Sequence, residues 1–337
     1  MSLASTTFTV LIGSIGGLFA SVIGFPAPFL TGPATIVTIF CLMGLKCSVN
    51  VIIRNISFII IGISIGASVT PQLVETAVLW PLTMIGMIAN VLVIIIIGRY
   101  FFGKVLRLDS NTAFLASCPG LLSFVLSLSE DTKSNTAMIS AIQSIRVLTL
   151  TLAIPACIAV LTDFDSQPLS ATLEQISFFN LMFLLMASLL FGVILLKIKF
   201  PAAFLLAGMF SSTLGHSLDL TPGIMPHFLA TFAFIVLGSL VGSRFSEVKL
   251  DLFLATFLKG AAFTVVALLV SIFFSFAVSL LGDYRFIDLL IAFAPGGLET
   301  MAAMGAIVKA DTTFVAAHHL ARLFLLTALI PLVIKKR

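Results

Sequence analysis

The 337-residue chain has few charged side chains. They make up 9% of the residues, against roughly 25% in a soluble domain, while hydrophobic residues make up 60%. Apolar runs such as 77–102 and 250–281 exceed the about 20 residues with which a helix spans a bilayer. This shortage of charge excludes an ordinary soluble protein and predicts an all-α polytopic membrane protein surrounded by lipid.

Cysteine and histidine are also scarce, with four residues of each: Cys41, Cys47, Cys118, Cys157, His216, His227, His318 and His319. The cysteines lie in or near apolar runs without the spacing of metal ligands, so we expect packed thiols rather than disulfides. The adjacent pair His318 and His319 cannot share one helix face, and the other two histidines lie near predicted loops. We therefore expect no metal site and no cofactor.

The net charge of +4 is small and distributed over many short loops. Basic residues in such loops set the orientation of a membrane protein, so they do not predict a nucleic-acid partner. The apolar N-terminal stretch 1–24 has no basic region before it. It is predicted to be a retained span rather than a cleaved signal peptide.

The chain contains a long internal duplication. Residues 111–155 resemble 287–331, and three pairs are each separated by 176 positions: Pro119 and Pro295, Arg146 and Arg322, Pro155 and Pro331. The segment 25–30 matches 200–205 at an offset of 175. These matches predict two membrane repeats, 1–165 and 177–337, joined by a polar linker at 166–176.

Loop charges predict that the two repeats have inverted topology. Lys46 follows the second apolar segment of the first repeat, whereas Lys197 and Lys199 precede the matching segment of the second. The basic side thus switches between copies, which is typical of inverted repeats in secondary transporters. Inverted repeats need an odd number of crossings in each half, but each half has six apolar segments. The Pro-Gly segment of each half is therefore predicted to be re-entrant or broken. The expected architecture has about ten transmembrane helices, two interrupted segments and both termini in the cytoplasm; full helices with proline kinks are the alternative.

The interrupted segments supply the candidate substrate site. Its expected members are Pro119, Gly120, Ser123, Pro295, Gly296 and Gly297. A half-helix that begins after a Pro-Gly turn offers free backbone N–H groups and the positive end of a dipole, both of which favour an anion. The alternative is that the glycines only allow helices to pack closely.

Four ionisable or polar side chains complete this site. Arg146 and Arg322 lie deep in apolar helices and would either bind a substrate carboxylate or neutralise the negative ends of broken helices. Glu299, whose equivalent is Ser123, would carry a coupling proton, cap its half-helix or pair with Arg322. His319 would contact substrate in the cavity or serve as a structural histidine.

The Pro-Gly segments resemble the bacterial membrane AbrB-duplication family. That family carries a small-x-Pro-Gly-Gly stretch, then Gly-Ala-Asp, then a Gln-x-x-Arg helix. The matching segments of this sequence are 294–299, 309–311 and 319–324 in the second copy and 118–121, 133–135 and 143–148 in the first. The family's opening Leu-Pro-Ala motif is similar to 25–33. The first copy departs at Leu121 and Asn135, and the second has His319 for the glutamine.

The resemblance implies a bacterial inner-membrane protein, although family members bear labels as different as transporter, regulator and ammonia monooxygenase. A monooxygenase needs clustered imidazoles and carboxylates, and none emerges. The expected function is therefore a secondary transporter, not an enzyme, that moves a small metabolite or organic anion coupled to an ion. A membrane sensor or scaffold that influences gene expression indirectly is the alternative, and a homodimer is possible in either case.

Overall fold

The computed structural model describes residues 3–67, 80–119, 125–126, 128–129, 132–161 and 175–334, and it is all-α. The α-helices in these ranges are α1 (Leu3–Val22), α2 (Pro28–Leu42), α3 (Val51–Gly66), α4 (Trp80–Val105), α5 (Ser110–Ser117), α6 (Thr136–Leu161), α7 (Phe178–Lys197), α8 (Ala203–Ser217), α9 (His227–Ser243), α10 (Leu250–Ser279), α11 (Phe286–Phe293), α12 (Leu298–Ile307) and α13 (Thr312–Val333). A 3₁₀ turn at Arg244–Glu247 precedes α10. No strand occurs in the described ranges.

The helix lengths confirm the all-α polytopic membrane class. Within the described residues, seven helices are long and apolar enough to cross a bilayer: α1, α4, α6, α7, α9, α10 and α13. The helices α2, α3 and α8 have 15, 16 and 15 residues. At 1.5 Å per residue they extend about 23 Å, somewhat less than the roughly 30 Å hydrocarbon core. These ten helices coincide with the ten segments expected to span.

Helix boundaries repeat along the chain with the spacing of the duplication. The helices α1 and α7 begin at Leu3 and Phe178, and α2 and α8 begin at Pro28 and Ala203, a shift of 175 in both cases. The pairs α5 and α11, and α6 and α13, begin 176 residues apart. In these four pairs, the helices of the two halves of the sequence therefore begin at equivalent positions.

The described helices pack into two compact units, and each unit takes helices from both halves of the sequence. The first consists of Met1–Ala77, Ile154–Ser246 and Ala302–Thr313, and the second of Val78–Ala153, Glu247–Met301 and Phe314–Arg337. A packing unit is therefore not a sequence repeat. The division of the sequence at 166–176 stays a prediction about the repeats alone.

Glycines join the two halves within the first unit. A methyl group added at Gly62 on α3 would overlap the Leu205 carbonyl oxygen on α8, and one added at Gly238 on α9 would overlap that of Leu30 on α2. One turn later, Gly66 meets α8 and Gly242 meets α2 in the same way. Both pairs have the small-xxx-small spacing that lets helices approach closely.

The order of these contacts along the chain shows the relative direction of α3 and α8. Gly62 lies against Leu205 and Gly66 against Met209, so α3 and α8 run parallel. If α2 and α3 are consecutive spans, they cross the membrane in opposite directions. Because α8 runs parallel to α3, it would then run opposite to α2, its equivalent in the first repeat. This is the relation that inverted repeats require.

The alanine of the duplicated Phe-Pro-Ala motif has a left-handed backbone conformation in both copies. Ala27 before α2 has φ 52° and ψ 51°, and Ala202 before α8 has φ 50° and ψ 35°. Alanine adopts this conformation at a cost of about 1–2 kcal/mol, so surrounding structure must hold it there. The motif thus fixes how the chain enters each short helix.

Candidate functional site at the interrupted segments

The second Pro-Gly segment is broken rather than kinked. The helix α11 ends at Phe293, the residues 294–297 are not helical, and α12 begins at Leu298. With 8 and 10 residues, α11 and α12 extend about 12 and 15 Å, so neither half can cross a bilayer alone. The alternative of one continuous helix with a proline kink is wrong for this copy.

The first Pro-Gly segment begins in the same way. The helix α5 ends at Ser117, Cys118 is extended with φ −64° and ψ 119°, and Pro119 is buried. The predicted site residues Gly120 and Ser123 lie outside the described residues. What is described of this copy therefore reproduces the end of the first half-helix and the start of the turn.

Arg322 on α13 binds the backbone of the break. It is 1% exposed, its Nη1 donates to the Ala294 carbonyl at 2.6 Å, and its Nη2 donates to the Gly296 carbonyl at 2.5 Å. The carbonyl end of a helix carries partial negative charge, and a buried guanidinium there satisfies groups that no water reaches. This contact matches the second role considered for the arginine, the neutralisation of a broken helix end.

His319 completes the shell of that arginine. Its Nε2 lies 3.0 Å from the Ile291 carbonyl oxygen and its Nδ1 lies 2.6 Å from Nη2 of Arg322. A carbonyl only accepts and a guanidinium only donates, so Nε2 carries the proton and Nδ1 accepts. His319 is thus held as a neutral ring that links α11 to Arg322, whereas its neighbour His318 turns toward α4.

The first copy makes equivalent bonds with a different residue type. Arg146 on α6 donates from Nη1 to the Cys118 carbonyl at 3.1 Å, and Gln143 donates from Nε2 to the Leu115 carbonyl at 2.9 Å. Donors and acceptors correspond at the offset of 176: Arg146 and Cys118 match Arg322 and Ala294, and Gln143 and Leu115 match His319 and Ile291. Gln143 Oε1 has no hydrogen-bond partner in the described part of the chain, whereas the corresponding His319 Nδ1 binds arginine.

Two further polar residues, which sequence reasoning missed, bind the end of α11. Asn90 on α4 donates from Nδ2 to the Phe293 carbonyl at 2.8 Å, and Ser271 on α10 lies 3.1 Å from the same oxygen. Both side chains are fully buried. The signal available in the sequence was a lone amide in the apolar run of α4, because such a group needs a partner inside the membrane.

The rest of the predicted site is less enclosed. Pro295 and Gly296 are buried, but Gly297 and Glu299 are partly exposed. A methyl group added at Gly296 would lie 2.6 Å from Cε of Met301, whereas at Gly297 the nearest atom would be Oε2 of Glu299, 3.8 Å away. Glu299 makes no ion pair within the described residues, so the expected alternative of pairing with Arg322 does not occur there.

Two arginines are buried among the described residues of the second unit. Arg146 and Arg322 are 3% and 1% exposed, and each donates to a carbonyl at the end of an interrupted segment. Within the described residues, the hydrogen-bond partners of Arg322 are two carbonyls and an imidazole, all of them neutral. The arrangement can therefore attract an anion. No cluster of His, Cys, Asp and Glu able to hold a metal occurs in the described ranges.

Known proteins resemble this chain over most of its length, including both interrupted segments. The family model described as "Transition state regulatory protein AbrB" matches residues 29–337, which include both interrupted segments. A Bacillus subtilis (strain 168) protein named "Uncharacterized protein YhjN" is 29% identical over 264 residues, covering 73% of this chain and 68% of that protein. An Escherichia coli (strain K12) protein named "Putative regulator AbrB" is 24% identical over 328 residues, covering 93% and 90%.

Proposed function

Because this chain belongs to the AbrB family, whose model covers both Pro-Gly breaks, we propose that it is an inner-membrane secondary transporter of a small metabolite or organic anion. The observation that carries the proposal is the pair of buried arginines, Arg146 and Arg322, each bound to the end of an interrupted segment. Secondary transporters bind substrate at such discontinuous helices, between internal repeats.

The charge of the arginines supports an anionic substrate. A guanidinium buried in a membrane protein is costly unless it meets a partner, and Arg322 meets only neutral groups among its described contacts. Backbone carbonyls satisfy its hydrogen bonds but leave a full positive charge. A carboxylate or phosphate that entered the second unit would gain from this charge.

Ion coupling is part of the proposal, and Glu299 is its carboxylate candidate. It lies in the first turn of α12, directly after the break, and it is partly exposed. A carboxylate at this position can take up a cation or a proton from the same space that admits the substrate. The equivalent position in the first repeat holds Ser123, so such coupling would belong to one repeat.

The second candidate function is a membrane sensor. The observation in its favour is the name of the Escherichia coli relative, which describes a regulator. A sensor with the same arginines would bind an anion without moving it. The two functions therefore separate in one preparation that measures binding and uptake together.

The test begins with ligand identification. Purified protein in detergent is heated with a panel of small organic anions, amino acids, ammonium and divalent metals, and its melting temperature is recorded. A ligand at 100 times its dissociation constant adds about 2.7 kcal/mol of stability. We expect a hit among the anions, and uptake of that anion by proteoliposomes.

Arginine variants then test the site. Arg322→Ala and Arg146→Ala should abolish both the anion-dependent shift and uptake, while Arg99→Ala, which removes an exposed arginine on α4, should change neither. Arg322→Lys keeps the charge if Arg322→Ala fails to fold. Uptake that survives in both alanine variants would refute the site, and binding without uptake in the wild type would favour the sensor.

A further inference from the structure

His318 occupies a fully buried polar position on α13 that the proposed site does not use. Its Nδ1 lies 2.8 Å from the Phe314 carbonyl oxygen, and its Nε2 lies 2.7 Å from Oγ1 of Thr83 on α4. The same hydroxyl oxygen lies 2.8 Å from the Trp80 carbonyl oxygen. Both side chains are 0% exposed, so no water satisfies them from outside.

The three contacts of His318 and Thr83 need more hydrogen-bond donors than a neutral imidazole and a hydroxyl supply. Three contacts need three donors: one toward Phe314, one between His318 and Thr83, and one toward Trp80. A neutral imidazole and a threonine hydroxyl together supply two. A protonated imidazole supplies two by itself, and the hydroxyl supplies the third. Only the protonated ring therefore satisfies all three contacts at once.

Aromatic rings surround the imidazole and favour a cation there. The Phe314 ring centroid lies 3.9 Å from that of His318, and the Trp80 and Phe293 centroids lie 6.1 and 6.2 Å away. The faces of aromatic rings attract cations, and the attraction strengthens away from water. The site thus places three aromatic rings near the imidazole, together with the two oxygen acceptors.

The titratable groups around His318 supply no counter-ion for a permanently protonated ring. On its own helix the nearest are His319 and Arg322, whose polar atoms are directed to carbonyls of α11 and the break. The contacts from α4 are Thr83 and Trp80, and the contact from α11 is Phe293. No carboxylate is among these described contacts, and burial disfavours a charge that lacks a counter-ion. The proton should therefore bind reversibly.

The duplication supplies an internal control. The position equivalent to His318 in the first repeat is Ile142, a buried apolar residue that is 1% exposed. The neighbouring pair Gln143 and His319, in contrast, makes the same bond in both repeats. Packing of this helix therefore does not require an imidazole at 318. The imidazole at this position is therefore particular to the second repeat, and it meets Thr83 of the first repeat.

We propose that His318 and Thr83 form a proton-binding site and that this proton is the ion coupled to transport. On uptake the proton bonds to Nε2, the new N–H donates to Thr83 Oγ1, and the hydroxyl hydrogen turns to the Trp80 carbonyl. On release these changes reverse. The coupling part rests on the proposed transport function; the binding of the proton does not.

The first experiment observes the ring directly. Protein labelled with ¹⁵N at histidine is placed in nanodiscs without substrate, and His318 is assigned by the signals that are lost in His318→Gln. The fraction of rings with both nitrogens protonated is then measured from about pH 4 to pH 8. We expect a reversible change in that fraction within this range.

Thr83 variants make the test specific. Thr83→Val removes the acceptor for Nε2–H but keeps the shape, so at a fixed pH within the transition it should lower the ratio of protonated to neutral rings about tenfold, the loss of one hydrogen bond to a charged group. Thr83→Ser should stay within about twofold of the wild type. The matched control is Thr231→Val beside exposed His227, a pair 3.3 Å apart on α9, which should leave His318 unchanged. Equal fractions in the valine and serine variants, or one protonation state at every pH, would overturn the site.

Coupling is tested separately in proteoliposomes that contain a pH-sensitive dye. Entry of the identified anion should acidify the lumen in the wild type and in Thr83→Ser, and at least tenfold less in Thr83→Val. If acidification persists in Thr83→Val but is lost in Glu299→Gln, the coupling assignment to His318 is wrong while the transport function stands. If the wild type moves no anion but His318 titrates as expected, the proposed function fails and the proton site stands.

Discussion

At the scale of single residues, both arginines of the candidate site have the same hydrogen-bond partner, the carbonyl that follows a broken half-helix. That carbonyl belongs to Cys118 in one repeat and to Ala294 in the other. One helical turn before each arginine, Gln143 or His319 binds a carbonyl in the last turn of the same half-helix, that of Leu115 or Ile291. A side chain here needs a donor nitrogen at the correct reach more than it needs to be an imidazole.

This interchange predicts the effect of two substitutions at His319. His319→Gln should keep the bond to the Ile291 carbonyl, as Gln143 does with Leu115, and should change the free energy of unfolding by less than about 1 kcal/mol. His319→Leu leaves that carbonyl and a donor of Arg322 unpaired and should cost about 1–3 kcal/mol. Equilibrium unfolding in mixed micelles measures both, and equal losses would show that the ring itself is required.

At the scale of helices, glycine contacts decide how close the two repeats approach. The α3 glycines meet backbone atoms of α8, and the α9 glycines meet those of α2. Backbone cannot move aside as a flexible side chain can, so an added methyl group must separate the helices or bend them. In contrast, nothing lies within 4 Å of a methyl group added at Gly103 on α4.

A matched pair of alanine substitutions follows from this difference. Gly62→Ala should destabilise the protein by about 1–3 kcal/mol, since its methyl group overlaps the Leu205 carbonyl. Gly103→Ala should be neutral or stabilise by up to about 1 kcal/mol through helix propensity. Thermal unfolding in one detergent compares them, and an unchanged melting temperature for Gly62→Ala would contradict the contact.

At the scale of the whole molecule, the inverted topology is the prediction with the widest consequences. It places the loop after α2 in the cytoplasm and the equivalent loop after α8 outside. Exposed Lys46 and Asp219 mark these two loops. The parallel packing of α3 with α8 agrees with this prediction, but only a membrane orientation tests it.

Single-cysteine labelling provides that orientation. In a background without the four native cysteines, Lys46→Cys should react with an impermeant maleimide only after the cells are opened, and Asp219→Cys should react in intact cells. Lys104→Cys, in the last turn of α4, should behave as Lys46→Cys does. Reaction of Lys46→Cys and Asp219→Cys from the same side would rule out inverted repeats.

The sequence by itself determined the class, the duplication and the position of the breaks, because each depends on local chemistry. Long apolar runs require a lipid environment, and a Pro-Gly pair ends a helix. Asparagine favours a helix start, and Asn135 precedes α6, where its Oδ1 accepts from the Met138 N–H at 3.0 Å. The repeat spacing followed from matching residues alone. These features need no knowledge of what lies across the fold.

Only the tertiary structure decided what the buried polar groups contact. The sequence left Arg322 between a substrate carboxylate and a helix end, and it gave no sign that Asn90 reaches Phe293, 203 residues away. It placed His318 and His319 side by side without showing that they bind different helices. Hydrogen-bond partners inside a membrane protein are set by which helices pack together, and that packing depends on long-range contacts that no local pattern encodes.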